Sequence, residues 1–117
     1  MSRSKIGSIV VDCDRFDEMM EFWMAALHYV PRRPPSDGWV VLTDPEGDGP
    51  NLSLNLTSEG HLKEYRLHID LYADDHDAEV VRLRRLGARL RRKRKAGEDF
   101  TVLADPDGNP FCVVDRS

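Results

Sequence analysis

The sequence repeats one plan twice, and this repeat restricts the fold more than any other feature. Asp14 begins a stretch with helical spacing of apolar residues, and Asp74 begins a similar stretch 60 residues later. The turn segment Asp44-Pro-Glu-Gly47 is matched by Asp105-Pro-Asp-Gly108, 61 residues later. Because two landmarks share nearly the same offset, they indicate one supersecondary unit used twice, with neither half burying its apolar face alone.

Each half is predicted to fold in the order strand, helix, strand, strand, strand. The strands of the first half are expected at residues 6–13, 29–32, 39–43 and 51–56. Those of the second half are expected at residues 66–72, 89–92, 100–104 and 110–115. We therefore predict an α+β protein with one domain over residues 1–117. Its modules are expected at about 5–57 and 65–115, with a polar connector at 57–64.

Both predicted helices begin near a residue that suits an N-terminal cap. Asp14 and Asp74 are the expected caps, because their carboxylates accept hydrogen bonds from backbone N–H groups of a first turn. The apolar stripe of the first helix is expected to contain Phe16, Met19, Met20, Trp23 and Leu27. The stripe of the second helix is thinner and is expected to contain Ala78, Val81, Leu83 and Leu86, with Gly87 ending the helix.

The strand pattern separates an aliphatic face from a polar face in each half. Aliphatic residues alternate with polar ones in the fourth and fifth strands, so that Leu52, Leu54, Leu56, Leu67, Ile69 and Leu71 are expected to face the helices. The opposite faces carry Asn51, Ser53, Asn55, Arg66, His68, Asp70 and Tyr72. Trp39 and Phe100 fall on the polar faces if Leu42 and Leu103 face the helices. The expected architecture is two tandem βαβββ modules whose cupped, mixed sheets surround a cleft.

Composition excludes several classes of protein. The chain has 17 Lys and Arg against 21 Asp and Glu, and its formal charge of −4 argues against a dedicated nucleic-acid module. Cys13 and Cys112 lie 99 residues apart, so neither a disulfide framework nor a structural zinc finger is expected. No apolar stretch approaches the roughly 20 residues that span a bilayer, and no signal peptide is readable. We expect a cytoplasmic protein without a membrane partner.

Nine of the 17 basic residues lie between positions 82 and 95. We interpret this basic segment as a solvated face, because no aromatic residue interleaves with its charges to form a stacking platform for bases. Nucleic acid is therefore not expected as a partner. The alternative that stays open is that these residues form the rim of the cleft and favour an anionic ligand.

Three motifs resemble the vicinal oxygen chelate superfamily, the group of glyoxalases, bleomycin-resistance proteins and extradiol dioxygenases. The motifs are Asp14…Glu21-Phe-Trp…Ala26-Leu27, Arg66-Leu-His-Ile-Asp-Leu71 and Ala104-Asp-Pro-Asp-Gly-Asn-Pro-Phe-Cys112. The similarity is greatest to the small glyoxalase-like branch and extends over residues 6–115. It implies a homodimer and a small-molecule ligand, whereas a shared fold does not determine the chemistry.

In metal-using members of this superfamily, the ligands come from the first and last strands of each half. The resemblance transfers these places to Ser8, to Ser53 or Asn55, to His68 and to Cys112. Only His68 keeps the expected residue type, since a His is typical at Ser8 and a Glu is typical at Cys112. No bound metal or other cofactor is therefore predicted. A divalent ion held by His68 with Asp70 is the alternative.

The sequence predicts a small-molecule-binding protein of the glyoxalase and bleomycin-resistance type. The expected ligand-binding residues are Ser8, Trp39, Ser53, Asn55, His68, Asp70, Tyr72, Phe100 and Cys112. His68 is the candidate catalytic residue, because its imidazole exchanges a proton near neutral pH. The alternatives are a metal-dependent lyase, isomerase or dioxygenase that uses His68 with Asp70, and structural roles for His68 as a hydrogen-bonded strand residue and for Cys112 as a small apolar residue.

Overall fold

The computed structural model describes residues 2–57 and 66–116, so most of the predicted connector lies outside the described part. Eight strands and two helices follow the predicted order twice. Their bounds are β1 Ser4–Cys13, α1 Phe16–Leu27, β2 Val30–Pro31, β3 Trp39–Thr43, β4 Asn51–Leu56, β5 Leu67–Ala73, α2 His76–Arg85, β6 Arg89–Arg92, β7 Phe100–Ala104 and β8 Pro110–Asp115. The predicted α+β class with paired βαβββ modules is confirmed. Neither helix of the described residues has the length and apolar character that a membrane span requires.

The chain divides into two compact units. The N-terminal unit comprises residues 8–67, and the C-terminal unit combines the residues up to Gly7 with those from His68 onward. Strand β1 therefore contributes its first four residues to the C-terminal unit and the rest to the N-terminal unit. The organisation as one domain over residues 1–117 stays a prediction.

The N-terminal unit contains a mixed sheet with the strand order β2-β3-β4-β1. Strands β1 and β4 are parallel, with Val10 opposite Ser53, whereas β3 is antiparallel to β4 and to β2. Helix α1 covers one face through apolar side chains. The core there consists of Cys13, Val40, Leu42 and Leu54, against which Val11, Phe16, Met19, Met20, Trp23, Met24 and Tyr29 pack.

The C-terminal unit contains a second mixed sheet, with the order β5-β8-β7-β6. Strands β5 and β8 are parallel, with Asp70 opposite Cys112, and β7 is antiparallel to β8 and to β6. The core on its helix side consists of Ala73, Leu103 and Val113, against which Val80, Leu83, Ala88, Leu90 and Phe111 pack. Leu42 and Leu103 therefore both lie on helix-facing sides, as their equivalent positions predict.

The Asp-Pro turns close matching hairpins in the two units. The Asp44 carboxylate accepts backbone N–H bonds from Glu46, Asp48 and Gly49 between β3 and β4. The Asp105 carboxylate accepts bonds from Asp107 and Asn109 between β7 and β8. These hydrogen bonds favour the charged carboxylates, so they hold the pKa values of both aspartates below the ordinary value.

Both predicted N-caps are wrong by one residue. Helix α1 is preceded by Arg15, which makes no side-chain cap hydrogen bond. Helix α2 is capped by Asp75, whose carboxylate accepts from the N–H of Ala78 at 3.2 Å. At the C-terminal ends the expectations are closer, since Gly87 follows α2 with φ of 124° and His28 ends α1 with φ of 58°.

The predicted apolar stripe of α2 is also wrong. Val81 and Leu86 are 48% and 69% exposed, whereas His76 and Glu79 are buried. The buried face of α2 is formed by His76, Glu79, Val80 and Leu83, which keep helical spacing but include polar residues. In α1 the difference is smaller, because Met24 packs on the core while Leu27 is 39% exposed.

Glu79 is fully buried, and its negative charge is balanced by the neighbouring Arg82. Its carboxylate accepts two hydrogen bonds from Arg82, at 2.8 and 2.7 Å, and one from the Ser4 hydroxyl at 2.5 Å. The Arg82 hydrogen bonds, supported by Ser4, lower the pKa of Glu79 to about 2 against the opposing effect of burial. The start of β1 is therefore attached to α2 through a buried carboxylate.

We expect Leu54→Ala to lower the free energy of unfolding by about 2–5 kcal/mol, because Leu54 is fully buried beneath α1. Leu56→Ala, on the same strand and face, is the matched control, since Leu56 is 49% exposed. Its loss should stay below about 1 kcal/mol. Urea denaturation followed by tryptophan fluorescence measures both values. Equal losses in the two variants would contradict the packing of α1 described above.

We expect the stability contribution of Glu79 to depend on pH with a defined sign. Its pKa is lowered on folding, so the contribution is complete above the unfolded value near 4.5 and is lost as the pH falls toward 2. The difference in unfolding free energy between the native chain and Glu79→Gln should therefore shrink by about 3 kcal/mol between pH 6 and pH 2. Glu18→Gln, which removes an exposed partner of Arg15, is the control and should change little. A difference for Glu79→Gln that is independent of pH would contradict this assignment.

Candidate functional site

The polar face of the C-terminal sheet gathers most of the charged candidate residues. The strand register aligns Asp70 on β5, Cys112 on β8, Val102 on β7 and Arg92 on β6 in one row. Residues that are opposite one another in a sheet share a face, and here it is the face away from α2. The next row carries Tyr72, Val114 and Phe100. The rings of Tyr72 and Phe100 therefore lie in the row next to the one that carries Asp70, Cys112 and Arg92.

His68, Asp70 and Cys112 form a compact cluster on this face. The His68 Nε2 atom lies 3.4 Å from Asp70 Oδ1. One donor atom from each of the three residues lies within 4.8 Å of the other two. Asp70 is only 8% exposed, while His68 and Cys112 are half-buried. The cluster therefore combines an imidazole, a carboxylate and a thiol that solvent reaches in part.

Cys112 does not lie in purely apolar surroundings, because ligand atoms of His68 and Asp70 lie within 4.8 Å of its sulfur. The Arg92 guanidinium makes two hydrogen bonds with Glu98, at 2.8 and 3.2 Å, and lies 5.0 Å from the centre of the Phe100 ring. The Glu98 hydrogen bonds raise the pKa of Arg92, so the guanidinium stays charged. Arg92 and Glu98 thus form an ion pair in the same row as the Cys112 thiol.

Arg92 was not among the predicted site residues, and the local geometry explains why. Leu90 opposes Leu103 on the helix-facing side, and simple alternation would place Arg92 on that same side. The register shifts between Leu90 and Arg92, so that Arg92 opposes Val102 instead. Such an irregularity turns a side chain to the other face of a strand. The sequence of the basic segment does not show which arginine the register shift turns to the other face.

The corresponding face of the N-terminal unit is neutral at the predicted positions. Ser8 and Ser53 are fully buried and their hydroxyl oxygens lie 2.6 Å apart in one hydrogen bond. The Asn55 side-chain amide donates to Asp12 at 3.1 Å, and Trp39 lies opposite Asn55 in the register with 37% of its surface exposed. The structure therefore brings Ser8 to Ser53, and Trp39 to Asn55, within this unit.

The donor set of the C-terminal cluster can be compared with what a divalent metal ion requires. A catalytic zinc ion takes three protein ligands of the His, Cys or Asp type at about 2.0–2.3 Å and keeps a fourth position open. His68, Asp70 and Cys112 supply these three atom types at spacings compatible with one ion. These three side chains would hold the ion, which would polarise a carbonyl oxygen or a water bound at the open position. Arg92 adds no net charge to this set, because its guanidinium is paired with the Glu98 carboxylate.

Comparison with known proteins identifies the fold. The family model of the glyoxalase-like domain matches residues 8–114. A glyoxalase/bleomycin resistance protein/dioxygenase superfamily member from Vibrio splendidus 12B01 is similar in structure, with 17% identity, a TM-score of 0.65, and coverage of 97% of this chain and 99% of that one. Methylmalonyl-CoA epimerase from Mycobacterium tuberculosis has 17% identity and a TM-score of 0.70 over 96% of this chain and 87% of that one.

A Mn(II)-bound glyoxalase from Novosphingobium aromaticivorans is also similar, with 18% identity and a TM-score of 0.65 over 98% of this chain and 40% of that one. Among curated proteins, none matches the sequence. These low identities show a common fold, while the family model covers nearly the whole chain. The chain therefore belongs to the glyoxalase-like domain family of the vicinal oxygen chelate superfamily.

Proposed function

We propose that the protein binds a small molecule on the polar face of its C-terminal sheet, in the manner of the glyoxalase and bleomycin-resistance type, without a resident transition metal. The observation that carries this proposal is the row of Asp70, Cys112 and Arg92 with His68 beside it. An imidazole, a carboxylate, a thiol and a guanidinium on one partly buried face form a polar anchor for a ligand. Superfamily membership supports it, because the family fold commonly holds small molecules.

The positions that would complete a metal site favour a small molecule over a metal ion. Arg92 is paired with Glu98 through two hydrogen bonds and leaves this balance unchanged. In the N-terminal unit, the hydroxyls of Ser8 and Ser53 bond to each other and present no charge. His68 is then the group that donates or accepts a hydrogen bond at a carbonyl or phenol oxygen of the ligand, and it acts as a general base if a reaction follows.

Aromatic side chains beside the charged row suit a ligand with a planar part. Phe100 lies one row from Cys112, and one face of its ring meets the Arg92 guanidinium at 5.0 Å. Rings of this kind add apolar contact area around a few polar anchors, which is the usual composition of a small-molecule site. The participation of Ser8, Trp39, Ser53, Asn55 and Tyr72 in ligand binding stays a prediction from the sequence.

A metal-dependent lyase, isomerase or dioxygenase is the second candidate, and the spacing of His68, Asp70 and Cys112 favours it. Three donor atoms within 4.8 Å of one another can converge on one divalent ion. The Mn(II)-bound glyoxalase of similar fold shows that a member of this structural group takes a metal. In this case His68 and its two neighbours would be ligands rather than direct contacts of the small molecule.

We expect His68→Ala to weaken ligand binding at least tenfold while leaving the metal content of the purified protein unchanged. A thermal-shift screen with phenols and carbonyl compounds identifies a ligand, and titration calorimetry then compares the variants. His28→Asn is the matched control, since residue 28 is exposed at the end of α1 and asparagine tolerates its left-handed backbone. Metal content is measured by mass spectrometry on protein purified without chelator.

About one equivalent of Ni, Zn, Fe or Mn per chain, lost in His68→Ala and in Cys112→Ser, would overturn the metal-free proposal and establish the second candidate. Unchanged ligand affinity in His68→Ala would show that the ligand does not use this face.

We also propose that two copies of the chain associate. Exposed sheet edges and exposed aliphatic side chains are a hazard in a single chain, and a second copy would cover them. Ile6 and Ile69 of the C-terminal unit are 59% and 40% exposed, although strand residues of this kind are usually covered. Leu67 of the N-terminal unit is 61% exposed.

We expect light scattering at micromolar concentration to give a mass of about twice 13.4 kDa. Ile69→Glu should shift the mass toward that of one chain, because a charge would be buried at the interface. Val81→Glu is the control, since Val81 is 48% exposed on α2 and is not part of the proposed interface. A mass near 13.4 kDa for the native chain would refute the association.

A further inference from the structure

A second concave site lies in the C-terminal unit, at the end of β5. It is a hollow of about 410 Å³ lined by Arg3, Ser4, Lys5, Tyr72, Ala73, Asp74 and Arg116. Its volume falls within the range of small-molecule sites. None of its residues belongs to the cluster of His68, Asp70 and Cys112. Three cations face one carboxylate, so the hollow is positive although the whole chain has a formal charge of −4.

Unlike three arginines elsewhere in the C-terminal unit, the three cations of the hollow have no acidic partner among the described residues. Arg82, Arg92 and Arg94 of the same unit form ion pairs with Glu79, Glu98 and Asp115. Within residues 2–57 and 66–116, the ion pairs include none of Arg3, Lys5 or Arg116. Like charges gathered in a hollow repel one another unless an anion lies between them. Among the described residues that line the hollow only Asp74 is acidic, so an excess of positive charge is left for an anion to offset.

Arg116 is held in place by its surroundings. Its backbone N–H donates to the Ala73 carbonyl at 2.8 Å, which attaches the chain beyond β8 to the end of β5. Its guanidinium lies 4.5 Å from the centre of the Tyr72 ring. A stacked, planar guanidinium loses less freedom when it binds an anion than an extended, mobile one would.

Tyr72 is in turn positioned by Gly7. A Cβ atom at residue 7 would lie 2.3 Å from atoms of the Tyr72 ring, so only glycine lets the ring pack against the backbone of β1. Gly7 thus supports one side of the ring, and the Arg116 guanidinium lies over the ring as well. The Tyr72 ring is therefore a fixed aromatic surface against which the Arg116 guanidinium of the hollow packs.

We propose that this hollow binds the phosphate group of a small phosphorylated ligand, with Arg116, Arg3 and Lys5 as its cationic contacts. The proposal does not depend on the function proposed above. Three cations suit a multiply charged phosphate better than a single carboxylate, because each adds a charge-assisted hydrogen bond. The planar fork of Arg116 matches two phosphate oxygens at once. Asp74 also lines the hollow and would repel a phosphate, so it favours ligands whose phosphate lies toward the three cations.

Titration calorimetry of the full chain with inorganic pyrophosphate at 50 mM NaCl tests the proposal. We expect one pyrophosphate per chain. Arg116→Gln should weaken binding at least tenfold and Lys5→Gln at least threefold. Arg89→Gln is the matched control: Arg89 is an exposed arginine on β6 of the same unit, outside the hollow, and its loss should change the affinity less than twofold. Malonate, a dicarboxylate, should bind at least tenfold more weakly than pyrophosphate.

Amide shifts in NMR spectra provide a second measurement that locates the bound anion. Pyrophosphate should move the amide signals of Tyr72, Ala73 and Asp74, and Arg116→Gln should abolish these changes. Equal weakening by Arg116→Gln and Arg89→Gln would overturn the proposal, since it would show attraction to the overall basic surface. Equal affinity for malonate would overturn the assignment to phosphate, and the absence of pyrophosphate binding would overturn the site.

Discussion

The structure depends on one packing constraint, which is that each unit has a single helix, and this helix covers one face of the unit's four strands. Burying leucine-sized side chains contributes about 1.5–3 kcal/mol each, so the residues that meet the helix are aliphatic, as Leu42, Leu54 and Leu103 are. Because side chains alternate along a strand, packing on one face leaves every second residue on the other face. The packing of Leu103 and Val113 against the side of α2 thus determines that Cys112 and Val102 lie opposite it. The position of the candidate site is therefore a consequence of the core.

Sequence alone predicts the parts of this fold that arise from local patterns. Five strands have the expected bounds, and the Asp44 and Asp105 turns match, because alternation and Asp-Pro chemistry are visible in a few consecutive residues. The buried face of α2 was not predictable in this way. Glu79 ranks as a surface residue by polarity, and its burial is made favourable by Arg82 and by the distant Ser4. Leu67 and Ile69 were expected in the core, yet they are 61% and 40% exposed, since the core beneath α2 lies at the Ala73 end of β5.

The candidate site shows the same division between local and long-range information. The alternation of β5 placed His68 and Asp70 on one face, and the resemblance to a known superfamily drew attention to Cys112. Arg92 required knowledge of a register shift between β6 and β7, which depends on how two strands pair and not on either strand alone. Its presence adds an ion pair with Glu98 to the row that carries the Cys112 thiol.

The two units have the same order of elements but differ in the chemistry of their polar faces. In the N-terminal unit, Ser8 and Ser53 satisfy each other's hydroxyls, and a neutral pair that is hydrogen-bonded can be fully buried at little cost. In the C-terminal unit, the equivalent region carries Asp70, Cys112 and Arg92, and charged groups lose much more on burial. His68 and Arg92 accordingly keep part of their surface in contact with solvent. The same order of elements therefore carries two chemically different faces: one has a buried, hydrogen-bonded pair of hydroxyls, and the other has charged groups that solvent reaches in part.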